Sequence, residues 1–376
     1  MENMCYYPWV GIDIDPQGNI KPCCWYANSI DNNIDGYFNN PELKKLQNEF
    51  SQGLKPAGCS QCWNFEKVGK RSKRQIDWEF ILEKTIPDLN KIKILSLPFG
   101  NSCNLACRSC SGANSTTWIK EEENLKKSGI DIKIHDHKRF YQDKKFMQQV
   151  KDLCSDIVQI TFPGGEPFLA GITEHLDFLD FLLHNNPQNV KLHYITNGTI
   201  FPKQEFWKKW KKFKYINLLV SVDGLDEQFN YLRWPGKWDQ VKHNISEYKE
   251  KITGFNNIKF EINHTVSVFN IYYLPEFVMW CLKNNLDYPN LNVLTWPKEY
   301  CIQHLPTPVK RKIEKKLENL VKFKDVIEFM NEKSADEKYY KHFGKITDIL
   351  DQQRNQSIEK TFPEFYQLLK DAECQI

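Results

Sequence analysis

Three cysteines fall within eight residues in "NSCNLACRSC", at Cys103, Cys107 and Cys110, with the spacing C-x3-C-x2-C. Thiolates are soft ligands that select zinc or iron–sulfur clusters. A structural zinc site needs a fourth protein ligand, and no histidine lies between Cys110 and His135. A 4Fe-4S cluster on three thiolates instead leaves one iron open to a substrate or cofactor. The triplet therefore reads as a centre for chemistry.

A second cysteine set lies earlier, in "CYYPWVGIDIDPQGNIKPCC" and "GCSQC". The first stretch predicts a hairpin: an alternating strand, a turn at Asp15–Gly18 and a return strand ending at cysteine. Cys5, Cys23, Cys59 and Cys62 together supply four thiolates, enough to close a second 4Fe-4S cluster or a zinc site. Cys23 and Cys24 compete for one place. The G-x4-C spacing after Gly18 favours Cys23.

Positioning these residues requires a scaffold. Six apolar, β-branched or aromatic runs predict strands at Lys91–Phe99, Ile157–Phe162, Val190–Thr196, Tyr215–Val222, Ile258–Val266 and Leu291–Trp296. Helical periodicity fills the gaps at Thr116–Lys127, Ile172–His184, Lys203–Lys212, Trp238–Lys251 and Leu274–Asn284. This alternation predicts a parallel α/β sheet, open or barrel-like. The cysteine triplet follows the first strand. "PGGEP" (Pro163–Pro167), "TNGT" (Thr196–Thr199) and "SVDG" (Ser221–Gly224) follow the next three. Ligands bind outside strand C-termini in such folds. Gly164 and Gly165 allow close backbone approach. Glu166 suits an ammonium group. Thr196, Asn197, Ser221, Asp223 and Arg233 are further candidate polar contacts, and Arg233 could take a carboxylate through two N–H groups.

In combination these motifs resemble the radical SAM superfamily. The triplet looks like its cluster signature and "GGEP" like its methionine-binding segment. "TNGT", "SVDG", "YLRWPGKWDQV" and "HTVSVFNIYYLPEFVMW" resemble its SPASM/twitch branch, over roughly Lys91–Pro297. The resemblance implies a partial (β/α)6 barrel at 91–297. It also implies S-adenosylmethionine as the fourth ligand of the 4Fe-4S cluster, cleaved reductively to methionine and a 5′-deoxyadenosyl radical that abstracts hydrogen from a substrate. Residues 1–75 resemble a twitch-like auxiliary-cluster domain, here ahead of the barrel rather than behind it. Residues 298–376 predict a helical extension. The implied partners are a peptide, protein or small-molecule substrate and a reductant such as flavodoxin or ferredoxin. A nucleotide or sugar derivative is the substrate alternative. A zinc-stabilised binding module is the alternative of another class.

With 51 basic and 48 acidic residues the charge is too balanced to indicate nucleic-acid binding. No signal-peptide pattern and no run of membrane-spanning length stands out, which predicts a cytoplasmic protein. There, twelve cysteines suggest metal ligation rather than disulfides. Cys154, Cys281, Cys301 and Cys374 stand apart and read as incidental. The basic run Glu66–Gln75 reads as a solvated face or a partner contact, and "HDH" (His135–His137) as a surface loop. No catalytic acid or base stands out.

Overall fold

The computed structural model describes residues 3–67, 69–185, 189–318, 321–333 and 336–372. Eight strands form one sheet: β1 (Gly11–Ile14), β2 (Ile20–Lys21), β3 (Ile94–Ser96), β4 (Gln159–Phe162), β5 (Lys191–Thr196), β6 (Tyr215–Ser221), β7 (Ile258–Val266) and β8 (Asn290–Val293). Their spatial order is β2-β1-β3-β4-β5-β6-β7-β8. Every neighbouring pair from β1 to β8 is parallel, and only β1 and β2 run antiparallel. The six expected strands are all present in chain order. Several are shorter than their apolar runs, because residues such as Pro98 and Pro297 lie beyond the laddered part. The five expected helices occur as Thr116–Lys127, Ile172–Asn185, Gln204–Trp210, Trp238–Ile252 and Leu274–Lys283.

Alternation along β5 reads half-buried, buried, half-buried, buried from Lys191 onward. Leu192, Tyr194, Phe162 and Leu218 thus share a core with Trp207, Trp210 and Phe178 from the covering helices. The other faces of these strands carry Lys191 and His193, which are only half-buried.

The N-terminal hairpin forms as expected. Gly18, at φ +87°, closes its turn, with its N–H donating to Asp15 O at 2.9 Å. Its pairing is larger than the sequence indicates. β1 lies parallel to β3, with Gly11 opposite Ile94, so the hairpin continues the barrel sheet. The rest of this region is largely helical, at Pro41–Ser51, Ser60–Lys67 and Lys73–Phe80. Asn40 caps the first of these through Glu42 N, Pro41 occupies its first turn, and Leu43, Leu46 and Phe50 share its buried face.

The last 70 or so residues are helical as expected, with Thr307–Leu317, Glu337–Arg354 and Pro363–Asp371 the longer elements. Phe343, Ile346 and Leu350 pack with Ala106, Trp118 and Leu125 from the cysteine loop and the helix behind it. Among the described residues no helix is long and apolar enough to cross a membrane.

Candidate metal centre and cofactor site

The cysteine loop leaves β3 through Gly100, whose φ of +72° and close approach to Lys138 O leave no room for a side chain. Its backbone is then held on several sides. Ala106 N and Arg108 N donate to Trp234 O and Leu232 O at 2.6 and 2.8 Å. Thr117 Oγ1 donates to Cys103 O and Trp118 Nε1 to Cys107 O, both at 2.7 Å. From the C-terminal helices, Arg354 Nη2 donates to Ala106 O at 2.8 Å.

Two predicted residues reach the thiols. Asn197 Nδ2, after β5, lies 3.6 Å from Cys103 Sγ, and Arg233 Nη1, after β6, lies 3.8 Å from Cys107 Sγ. Arg233 is fixed by Asp223 at 2.8 Å, and Asp223 in turn accepts Thr265 N at 2.8 Å. Burial, with lesser contributions from Cys107 and Glu166, pushes the Cys103 thiol up to about 12. Cys107 and Cys110 are also raised by burial, and Arg233 partly offsets this at Cys107. Buried thiols ionise when a metal takes the proton's place. The Asn197 and Arg233 N–H groups then become charge-assisted donors to thiolate. This donor set fits an iron–sulfur cluster. Among the described residues no three His, Cys, Asp or Glu side chains gather around a single-ion position. A cluster carrying each thiolate on a different iron does not require such a gathering.

The glycine-rich loop after β4 packs differently from its reading as open ligand backbone. Gly164 and Gly165 have φ of +65° and +53°. A Cβ on Gly164 would meet Pro16 Cγ at 2.3 Å, and one on Gly165 would meet Ser102 O at 2.6 Å. The loop thus fits between the hairpin turn and the cysteine loop. Glu166, buried, accepts Thr196 Oγ1 at 2.7 Å, Asn197 N at 2.8 Å and Phe168 N at 3.3 Å. It ties the β4 and β5 ends together and orients Asn197 toward Cys103. Ser221 ends β6 opposite Asn263.

Burial, offset by those donors, moves the Glu166 carboxyl up to about 7. The folded state therefore binds this proton more tightly than the unfolded chain, and Glu166 costs stability as pH rises from the ordinary carboxylate range through about 7. Glu166→Gln should flatten the melting-temperature profile across that window. Parallel profiles for the two proteins would refute this assignment.

Cys5, Cys23, Cys59 and Cys62 line one small cavity with Lys73 and Arg74. Cys24 is exposed and is not part of that lining. Cys59 and Cys62 are three residues apart at the start of the helix Ser60–Lys67, one turn of the same face. Arg74 braces the site, pairing with Glu66 at 2.6 Å and donating to Met4 O at 3.0 Å.

Within the basic run, Arg71 pairs with Glu79, Lys73 with Asp77 and Arg74 with Glu66. The Arg74–Glu66 pair is largely buried and Lys73–Asp77 partly so, whereas Arg71–Glu79 is exposed. The "HDH" segment is partly exposed but anchored to the cysteine loop. His137 Nε2 and Ser102 Oγ are 2.8 Å apart, Asn101 Nδ2 donates to Asp136 O at 2.8 Å, and His135 Nδ1 lies 2.9 Å from Glu122. No sequence pattern links Asn101 to a segment 35 residues away. Cys154, Cys281 and Cys301 are buried, and Cys374 lies outside the described residues.

Residues 97–262 match the radical SAM superfamily. The chain carries a radical SAM domain. Its three thiols, the loop after β4 and the donors after β5 and β6 all fall inside the matched span. The domain implies a 4Fe-4S cluster, which the donor set above fits, and S-adenosylmethionine. A cysteine-type anaerobic sulfatase-maturating enzyme of Clostridium novyi is 28% identical over 165 residues, covering 42% of this chain and 40% of that one. The same kind of enzyme from Clostridium perfringens is 27% identical over 144 residues, covering 38% and 35%. The chain spans about two fifths of the length of these relatives. Among solved structures, native anSMEcpe with bound AdoMet matches at TM-score 0.45 and 17% identity, covering 65% of this chain and 63% of that one. Streptococcus suis SuiB bound to precursor peptide SuiA matches at 0.38 and 14%, covering 90% and 58%.

Proposed function

We propose that this protein is a radical SAM enzyme that modifies a peptide or protein. The observation that carries the enzymatic reading is the cysteine triplet after β3, with N–H donors from the β5 end and from the end of the helix Asp226–Leu232 directed at two of its sulfurs. When bound, the 4Fe-4S cluster and S-adenosylmethionine supply reductive cleavage to methionine and a 5′-deoxyadenosyl radical. The chain's part is to hold and shield them. Cys103, Cys107 and Cys110 would ligate the cluster. Asn197 and Arg233 would temper the thiolates. Gly164, Gly165, Glu166, Thr196, Ser221 and Asp223 would shape the S-adenosylmethionine side. A flavodoxin or ferredoxin in a reducing cytoplasm would deliver the electron.

The substrate class leans on the relatives, which are named for maturing sulfatases. It also leans on the sheet edge at β8, which offers strand positions to an extended chain. Anaerobic incubation of reconstituted enzyme with separate peptide and metabolite pools tests this. Modification confined to metabolites would refute the polypeptide reading.

Cys5, Cys23, Cys59 and Cys62 would hold a second 4Fe-4S cluster in a twitch-like region spanning 1–75, ahead of the barrel at 91–297 and the extension at 298–376. Their shared cavity supports this. Cys59→Ala with Cys62→Ala should remove about four irons, whereas Cys24→Ala should keep them all. Iron loss from Cys24→Ala would reverse the choice between the neighbouring cysteines. Stoichiometric zinc in place of iron would rule out the cluster.

A further inference from the structure

The hairpin of β1 and β2 springs from the N-terminal cysteine cavity and ends against the loops of the triad site. Cys5 and Tyr7 lead into β1, Cys23 follows β2, and all three line that cavity. The two arms are packed tightly where they leave it: a Cβ on Gly11 would meet Tyr7 Cδ1 at 2.3 Å and Pro22 O at 2.7 Å. Asp13 lies opposite Lys21 and Ile14 opposite Ile20 across the hairpin, and β1 is laddered to β3 on its other side. Cys23 follows Gln17 by six positions, about 20 Å of extended chain.

The turn itself is stiff. The Asp15 carboxylate accepts Gln17 N at 2.8 Å, Asn19 N at 3.0 Å and Asn19 Nδ2 at 2.9 Å, which fixes the backbone around Pro16. Its tip meets both loops of the site. Buried Pro16 fills the space that a side chain on Gly164 would need. Gln17 Nε2 donates to Ala113 O at 2.9 Å, in the segment just after Cys110. The next residue, Asn114, accepts Gly165 N at 3.0 Å through its carbonyl. One amide side chain therefore steadies the joint at which the cysteine loop meets the glycine-rich loop.

We propose that Pro16 and Gln17 are positioning residues for S-adenosylmethionine, and that through them the N-terminal cysteine centre is coupled to the cofactor loops. The inference rests on the proposed function, which puts a cluster at the N-terminal cysteines and the cofactor beside the glycine-rich loop. Ligation ties Cys5 and Cys23, at the two bases of the hairpin, to one rigid group. The turn is then held in place before the cofactor arrives. With the centre empty the turn is held less firmly, so binding must also order the joint, and affinity falls. Such coupling is reciprocal: bound S-adenosylmethionine should slow removal of the N-terminal irons by a chelator.

Equilibrium dialysis of S-adenosylmethionine against anaerobically reconstituted enzyme, with iron counted on the same samples, supplies the test. Gln17→Glu keeps the shape of the side chain but, when ionised, cannot donate to Ala113 O. It should weaken binding about three- to tenfold, as for one lost hydrogen bond, and the triad should keep about four irons. Gln17→Lys retains an N–H donor and should stay within about twofold of wild type. The EPR signal of the reduced triad cluster should respond to S-adenosylmethionine in both variants, at concentrations raised by the same factors. Cys59→Ala with Cys62→Ala leaves the hairpin sequence intact and should weaken binding about fivefold or more. Adding Gln17→Glu to that pair should do little further, since both changes release one link. Unchanged affinity in Gln17→Glu, equal weakening by Glu and Lys, or losses that multiply in the combined variant would overturn the proposal. A wild-type enzyme that holds both sets of irons but binds no S-adenosylmethionine would instead refute the cofactor reading, and this inference with it.

Discussion

Replacing Cys103, Cys107 and Cys110 together with Ala should remove about four of about eight irons and abolish cleavage of S-adenosylmethionine. The remaining irons should stay, because the four N-terminal cysteines surround a separate cavity. Iron counting, absorbance and a 5′-deoxyadenosine assay on anaerobic protein measure both effects. A triple variant with full iron content would refute the triad. The fold should survive the change, since the cysteine loop is held by backbone contacts of Ala106 and Arg108 and not by its thiols.

The second large effect is expected far along the chain. Arg354 and Glu121 form a buried ion pair, with Nε 2.9 Å from Oε1 and a second contact through Nη2. Arg354 also holds Ala106 O and lies 5.3 and 4.9 Å from the Trp118 and Trp234 ring centres. Arg354→Ala strands the Glu121 carboxylate and should cost about 3–5 kcal/mol. Since the freed carbonyl lies within the cysteine loop, the irons at the triad should be lost more readily than those of the N-terminal site. Arg354→Leu with Glu121→Leu should recover much of the stability but not the loop contact. Chemical denaturation separates these contributions. Stability within about 1 kcal/mol of wild type for Arg354→Ala would dismiss the pair as a brace, as expected for an exposed bridge.

The barrel was legible because its six strands are short apolar runs separated by helical periodicity, and each motif-bearing loop begins where such a run ends. Thr116–Lys127 matches its predicted span, and Gly129, at φ +77°, follows its end. The partners of β1 were not legible. Gly11 pairs with Ile94 across more than eighty residues, and no local pattern encodes a partner at that distance. The cysteine spacings carried both candidate centres. Asn197 and Arg233 could be singled out by motif, but not their directions toward Cys103 and Cys107. Glu166 was read as facing an ammonium group, whereas its oxygens take three donors from the chain itself. Arg354 carried no signal, since a lone arginine near a helix end is ordinary until its partner, 233 residues earlier, is known.

The same brace sets an order of events during synthesis. Chains emerge from the ribosome amino end first, at about 5–20 residues per second. Arg354 follows Cys110 by 244 residues, so at that rate the cysteine loop lacks its last anchor for roughly 12–50 seconds. Iron delivered in that interval meets thiols not yet held by the finished fold. Productive loading should therefore follow emergence of Arg354, and translation stalled before residue 354 should yield a polypeptide that retains iron poorly at this loop.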